Sequence, residues 1–376
     1  MKSKRFLMGV IVVCLGLATA TSFVVSCAAP APTPTPPAAP APTPTPPLKP
    51  IEVTIELRHS DIHPELYPFA DILKDYVKEV EEATEGRVKF TMYFGGSLTQ
   101  ASEIYDGVAK GVSDTGFSVF CYNPGRFPVM EVCDLPGFPS VDAYVTSHVG
   151  WDVYNKFKPA ELNDVHILFV CNSEPGGCIA TRKPVNTLED LKGLRLRCVG
   201  SSAPTATALG AIPVALPITE AYTLLEKGTV DGSFLGLDDL TSMRVGEICH
   251  YTVMIPPISQ MNLFFMAMNL DTWNSLPADV KKVFDEVSPK YVEISAAKWN
   301  EMSRLAYEQL KEMGHTFTHL SAEELDKTIE LVVRPLQDKY VTDMEAKGLP
   351  GSEILAYRHE REQWWFTILG PGLVYE

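Results

Sequence analysis

From residue 51 onward the chain alternates strand-like with helix-like segments, and at Gly176 the alternation starts again. IEVTIELRHS (51–60) has the two-residue period of a strand, and PELYPFADILKDYVKEVEEATEG (64–86) has helical spacing closed by Gly86. RVKFTMYF, ASEIYDGVAKG and DTGFSVF continue as strand, helix and strand; after a loop rich in Pro and Gly come a helix near 141–158 and the strand DVHILFV. Past Gly176 the order is strand CIATRK, turn LEDLKG, strand LRLRCV, a helix from Pro204, strand IPVAL, helix ITEAYTLLEKG and strand TVDGSFL. Such alternation builds parallel βαβ units, so its restart predicts two α/β domains, which the length from Pro50 can supply. MNLFFMAMN (261–269) reads as a long crossing strand. The apolar spacing from Val280 to Ile294 predicts a helical region broken or restarted at Ser288 and Pro289. Two more helical stretches end the chain, and their cluster Trp364, Trp365 and Phe366 is read as packing.

Residues 1–26 carry Lys2, Lys4 and Arg5, then an apolar stretch and small residues, the form of a secretory signal. Val24–Ser26 followed by Cys27 resembles a bacterial lipobox, which implies cleavage before Cys27 and a lipid on its sulfur; the competing reading is an uncleaved anchor helix. Residues 29–48 repeat APAPTPTPPA as APAPTPTPPL. Dense proline favours extended polyproline geometry, a semi-rigid stalk of about 60 Å; an SH3-type ligand is the weaker alternative.

The formal net charge is −15, and without residues 1–26 it becomes −18. Nucleic-acid binding needs a basic patch or stripe, so this charge speaks against it. An anionic ligand must be caught by a local cationic site against the overall field. Of eight cysteines, Cys121, Cys133, Cys171, Cys178, Cys198 and Cys249 remain beyond Cys27. Their spacing allows a Cys171–Cys178 loop clip or free buried thiols, and no CxxC pair suggests a zinc ribbon.

LEDLKGLRLRCVG (188–200) supplies the local cation. On a strand Arg195 and Arg197 share one face, with Leu196 and Cys198 on the other. Guanidinium is a planar fork of donors matched to a carboxylate, charged at any physiological pH. Arg197, at the carboxyl end of the strand, lies where open α/β sheets place ligands. It is read as the carboxylate anchor, with pairing to a neighbouring acid as the alternative; Arg195 is read as a solvated or paired surface charge.

LEDLKGLRLR, TEAYTLLEKGTVDG and MNLDTWNSLP, in this order, resemble the solute-binding proteins of tripartite ATP-independent periplasmic (TRAP) transporters, DctP type. GRVKFTMYFGGSL, GVAKGVSDTGF and GRFPVMEVCDLPGF resemble the amino-terminal pattern, and the likeness runs over residues 51–345. The resemblance implies an α/β, two-domain periplasmic-binding-protein-like fold with crossing strands and a long inter-domain helix. The boundaries it suggests are signal 1–26, lipidated Cys27 plus stalk 27–50, domain I 51–174 with 262–300, and domain II 175–261 with 301–376 including the C-terminal helices. It further implies an organic-acid ligand held by Arg197 and delivery to small and large permease membrane subunits driven by an ion gradient; the signal and lipobox place the chain, lipid-anchored, outside the cytoplasm, and no cofactor, metal or catalysis is expected.

Departures from the family pattern narrow the ligand. Sialic-acid-binding members carry another arginine at the position of Gly177, and many members read VDGQENP where this chain reads VDGSFLG, putting Phe234 or Leu235 at the polar contact. Phe120 and Tyr122 stand where sialate binders place a glutamate and an arginine. Such apolar walls leave polyhydroxylated ligands unmatched, so the expected guest has one principal carboxylate on an apolar or aromatic body. His59 and Ser60, closing the first strand, and Asn262 are further candidate contacts, His59 with a structural alternative. Asp238 either orients a donor or is an acid at a helix start.

Two rival functions fare worse or stay level. A hydrolase lacks a GxSxG elbow or HExxH helix, and the pairs His59/His63 and His315/His319 lie in strand or loop sequence, where their spacing does not converge on a metal. A sensor for a membrane kinase would use the same closing cleft.

Overall fold

The computed structural model describes residues 54–138, 142–173, 178–200, 202–258 and 262–370; the signal segment, Cys27, the proline repeat and Gly177 lie outside them. The strands are β1 (Ile55–Asp61), β2 (Val88–Tyr93), β3 (Thr115–Val119), β4 (Val165–Asn172), β5 (Cys178–Thr181), β6 (Arg195–Cys198), β7 (Ile212–Ala215), β8 (Gly232–Leu235), β9 (Tyr251–Met254), β10 (Leu263–Asn269) and β11 (Thr316–His319). The helices are α1 (Ala70–Ala83), α2 (Ile104–Ala109), α3 (Ala143–Phe157), α4 (Ser202–Ala208), α5 (Ala221–Glu226), α6 (Leu237–Ser242), α7 (Leu270–Ser275), α8 (Ala278–Val287), α9 (Lys290–Glu312), α10 (Ala322–Thr328), α11 (Arg334–Ala346) and α12 (Gly351–Leu369).

Two sheets result, ordered β2-β1-β3-β10-β4 and β11-β9-β5-β8-β6-β7. Local βαβ connections give the parallel pairs β1/β2, β1/β3, β6/β7 and β6/β8. β10 is antiparallel to β3 and β4, and β5 to β8 and β9. Those two strands are reached by passing from one sheet to the other, so no local crossover helix dictates their direction.

β10 shows how composition sets the layering. It is buried along its whole length. Phe264, Met266 and Met268 enter one core cluster with α1, α8 and α9, while Leu263, Phe265 and Ala267 enter another with α3. A central strand covered on both faces needs this continuous apolar run.

The expected helical break falls between α8 and α9, where Ser288 and Pro289 intervene. Proline cannot donate within a helix but suits the start of the next. α9 then joins both lobes: Tyr291, Val292, Ala296, Trp299 and Met302 pack with the first sheet, whereas Tyr307 and Leu310 pack with the second.

The C-terminal region divides, contrary to the assignment of 301–376 to one domain. β11 pairs with β9 of the second sheet, but Tyr340, Met344 and Ile354 share a core with Val170 and Phe265 of the first. The reason is a set of long-range contacts: Asp152 of α3 accepts from Arg361 Nε and Trp365 Nε1, each at 2.8 Å, and Trp365 stacks on His148. Cys171 and Cys178 belong to cores on different sheets, and all six cysteines in the described residues are buried outside any disulfide, so the loop clip does not form.

Candidate functional site

The carboxyl ends of β1, β3, β6 and β8 converge on a cavity of about 80 Å³, several times what one water requires. Strand ends of open α/β sheets leave backbone and side chains free there, the usual ligand position.

Arg197 is the central charge. The alternation of β6 sends Leu196 and Cys198 into the second lobe's core and turns Arg197 to the cavity side. Only 2% of Arg197 is exposed, yet no carboxylate forms a salt bridge with it among the described residues. Backbone carbonyls hold it instead: Nε donates to Leu216 O at 2.7 Å and Nη1 to Phe234 O at 3.0 Å. Burial lowers its pKa from the usual arginine value, offset in part by Tyr122 and Asp239. Arg195 differs completely, pairing with Asp231 at 2.8 Å on the open surface.

An aromatic wall faces this cation from the first lobe. His63 stacks on Tyr67 at 4.8 Å between ring centres, Phe69 on Trp299 at 4.5 Å, and Phe264 packs on Trp299 at 5.3 Å. His63, Tyr67, Phe264 and Trp299 line the cavity. His63 is fixed by Asp61, whose Oδ1 accepts its backbone N–H at 2.8 Å and lies 3.1 Å from its Nδ1.

Two adjacent acids stand at the start of α6. Asp238 accepts the Tyr67 hydroxyl at 2.6 Å, a bond joining the two lobes across the site. Burial raises the pKa of both acids, that of Asp239 to about 8, with Asp238 adding to the rise and Arg197 opposing it. Gly200 marks another close approach: its φ is +49°, and a Cβ there would sit 2.6 Å from Cys121 Cβ of the facing lobe.

Of the sequence candidates, Arg197, Tyr122, Phe234, Leu235, Asp238 and Asn262 line the cavity. His59, Ser60 and Phe120 do not. His59 is fully buried and hydrogen-bonded to Thr115 at 3.0 Å, with burial pushing its pKa down to about 4; Ser60 bonds Thr99 at 2.7 Å. Phe120 packs on Phe127 and Phe265. The residues beyond the end of β1 reach the cavity, whereas those inside it are occupied within the sheet. Sequence reading missed His63 as a cavity residue, and Tyr67, Asp239 and Trp299 altogether. Only the run of rings near 63–69 was a signal for the first two; nothing local marks Trp299.

Two lobes meeting at a buried guanidinium held by backbone carbonyls, opposite an aromatic wall, define a solute-binding protein for anions. The chain belongs to the bacterial extracellular solute-binding proteins, family 7 (DctP), the solute-binding proteins of TRAP transporters, whose family model matches residues 59–343. It is similar to a TRAP periplasmic solute-binding protein of Desulfovibrio salexigens, an open complex with the C-terminus of a symmetry mate in its ligand-binding site. That likeness is 28% identity over 86% of this chain and 98% of the other, with a TM-score of 0.75. A Bordetella bronchiseptica TRAP solute-binding protein with bound (R)- and (S)-mandelate is 27% identical, covering 82% of this chain and 99% of that one at a TM-score of 0.76. A Sulfitobacter sp. solute-binding protein is 26% identical over 78% of this chain and 89% of its own length. Members of this family work with membrane permeases outside the cytoplasm, and no helix among the described residues is long and apolar enough to cross a membrane.

Proposed function

We propose that this protein captures a monocarboxylic acid with an aromatic or apolar body and delivers it to a two-subunit TRAP permease. The observation that carries the reading is Arg197: buried, held by two carbonyls, and facing the cavity with no acid paired to it among the described residues. An uncompensated buried charge costs several kcal/mol, and a ligand carboxylate supplies the missing partner. Tyr122, Phe234, Leu235 and Asn262 shape the space around the ligand's body, with the His63–Tyr67–Trp299 wall opposite. The mandelate bound by the Bordetella relative is an acid of this kind. Cys27 would carry the lipid that tethers the domain through its proline stalk on the extracytoplasmic side of the membrane.

Native mass spectrometry of the purified protein, followed by calorimetric titration with aromatic, keto and sugar acids, tests the reading. The expected result is tightest binding of aromatic acids; a preference for sugar acids refutes it. Mass spectrometry of the membrane fraction should find diacylglycerol on Cys27, and an unmodified Cys27 would remove the tether.

A further inference from the structure

Most polar groups around the cavity are already committed. His63 is tied to Asp61, Asp238 to Tyr67, and Ser202 to Val199. Asp239, beside Arg197, is held more loosely. It lines the same cavity, is half-buried, and caps the start of α6 through a long hydrogen bond, Oδ2 accepting from Gly236 N–H at 3.3 Å. The second lobe therefore offers two polar anchors, Arg197 and Asp239, against an aromatic wall on the first.

We propose that Asp239 binds a hydroxyl on the body of the ligand, so that the substrate class is a hydroxylated aromatic monocarboxylic acid. This rests on the reading of Arg197 as the carboxylate anchor. Both anchors line one small cavity, so one small acid can engage both. Burial keeps Asp239 protonated at neutral pH, and a neutral carboxyl both donates to and accepts from a hydroxyl without repelling the ligand's carboxylate. An ammonium group, in contrast, requires the ionised form. A wholly apolar body would leave the Asp239 carboxyl with only the long bond from Gly236, which is costly for the oxygen left unpaired.

The test is calorimetric titration of the intact protein with two matched pairs, mandelate against phenylacetate and 3-hydroxybenzoate against benzoate, with phenylglycine as the ammonium probe. Wild type should bind the hydroxy member of at least one pair about tenfold tighter than its partner. Asp239→Asn, whose neutral amide also donates and accepts, should keep that preference. Asp239→Leu should lose it, the two members of each pair then binding alike, with thermal unfolding as the check on its fold. No hydroxyl preference in wild type, a preference retained in Asp239→Leu, or tighter binding of phenylglycine overturns the proposal. Arg197→Ala separates the two readings: if it weakens neither member of a pair, the anchor itself fails, and the proposal with it. If it abolishes both while Asp239→Leu keeps the preference, only the hydroxyl reading falls. Failure of every probe to bind wild type overturns both.

Discussion

The two sides of the cavity are built from unlike material. The first lobe contributes rings, with His63, Tyr67, Phe264 and Trp299 stacked into one wall, and the second contributes Arg197, Asp238 and Asp239. Aromatic surface recognises a shape and an apolar area, while a guanidinium held by carbonyls recognises a charge. Neither side suffices alone, so the binding energy depends on the two lobes meeting, and the Tyr67–Asp238 bond is one contact that joins them.

The largest expected effect comes from removing the charge. Arg197→Ala should weaken acid binding by about 3–5 kcal/mol, a hundredfold or more by calorimetry, because the ligand's carboxylate is then buried unpaired. Arg195→Ala, two residues away, should leave affinity unchanged, since its partner is Asp231 on the surface. Equal losses at both positions would erase the distinction between the lobes' roles.

The next effect tests whether His59 belongs to the first lobe's core. Its folded-state pKa, about 4, lies below the usual histidine value of 6.5. The unfolded chain therefore binds more protons in that window, and stability falls as pH drops from 6.5 through 4, by up to about 3 kcal/mol for this group. His315, also lowered to about 4 by burial, adds in the same direction. Asp239, raised to about 8, acts oppositely, its contribution present below the ordinary carboxyl range and lost as pH rises through 8. Denaturant melts across this range should show a shallower acid-side slope for His59→Gln with ligand affinity unchanged; a binding defect would return His59 to the site.

Smaller effects probe closure and the acids. Tyr67→Phe should cost about 1–2 kcal/mol of ligand-dependent stabilisation in a thermal shift assay, by leaving Asp238 without its donor. Binding of a hydroxy acid should weaken as pH rises through about 8, because ionised Asp239 then opposes the ligand carboxylate. The charged and titratable groups facing it are Arg197, Asp238, Tyr67, Tyr122 and His63, and only Arg197 supplies a permanent positive charge. A flat profile would mean that Asp239 is already ionised at neutral pH.

The two α/β units and the Ser288–Pro289 break were legible because they rest on local signals: hydrophobic period and proline geometry. The position of Arg197 was legible for a similar reason, since strand alternation and a strand's carboxyl end fix where a side chain goes. Trp299 was not, because α9 carries apolar residues to both lobes and nothing in its spacing tells the turn beside the cavity from its neighbours. Tyr67 and His63 depend on how the chain leaves β1, and Asp239 on which of two consecutive acids takes Tyr67. The docking of α12 on α3 depends on a long-range bond from Arg361 to Asp152.

The central claim is that Arg197 grips the ligand's carboxylate, and a crystal structure of the protein with its co-purified ligand tests it most directly. The account predicts a carboxylate oxygen within hydrogen-bond distance of the Arg197 guanidinium, with the ligand's body against Tyr67 and Trp299. A closed structure in which Arg197 contacts only the Leu216 and Phe234 carbonyls, with the carboxylate bound elsewhere, would contradict it.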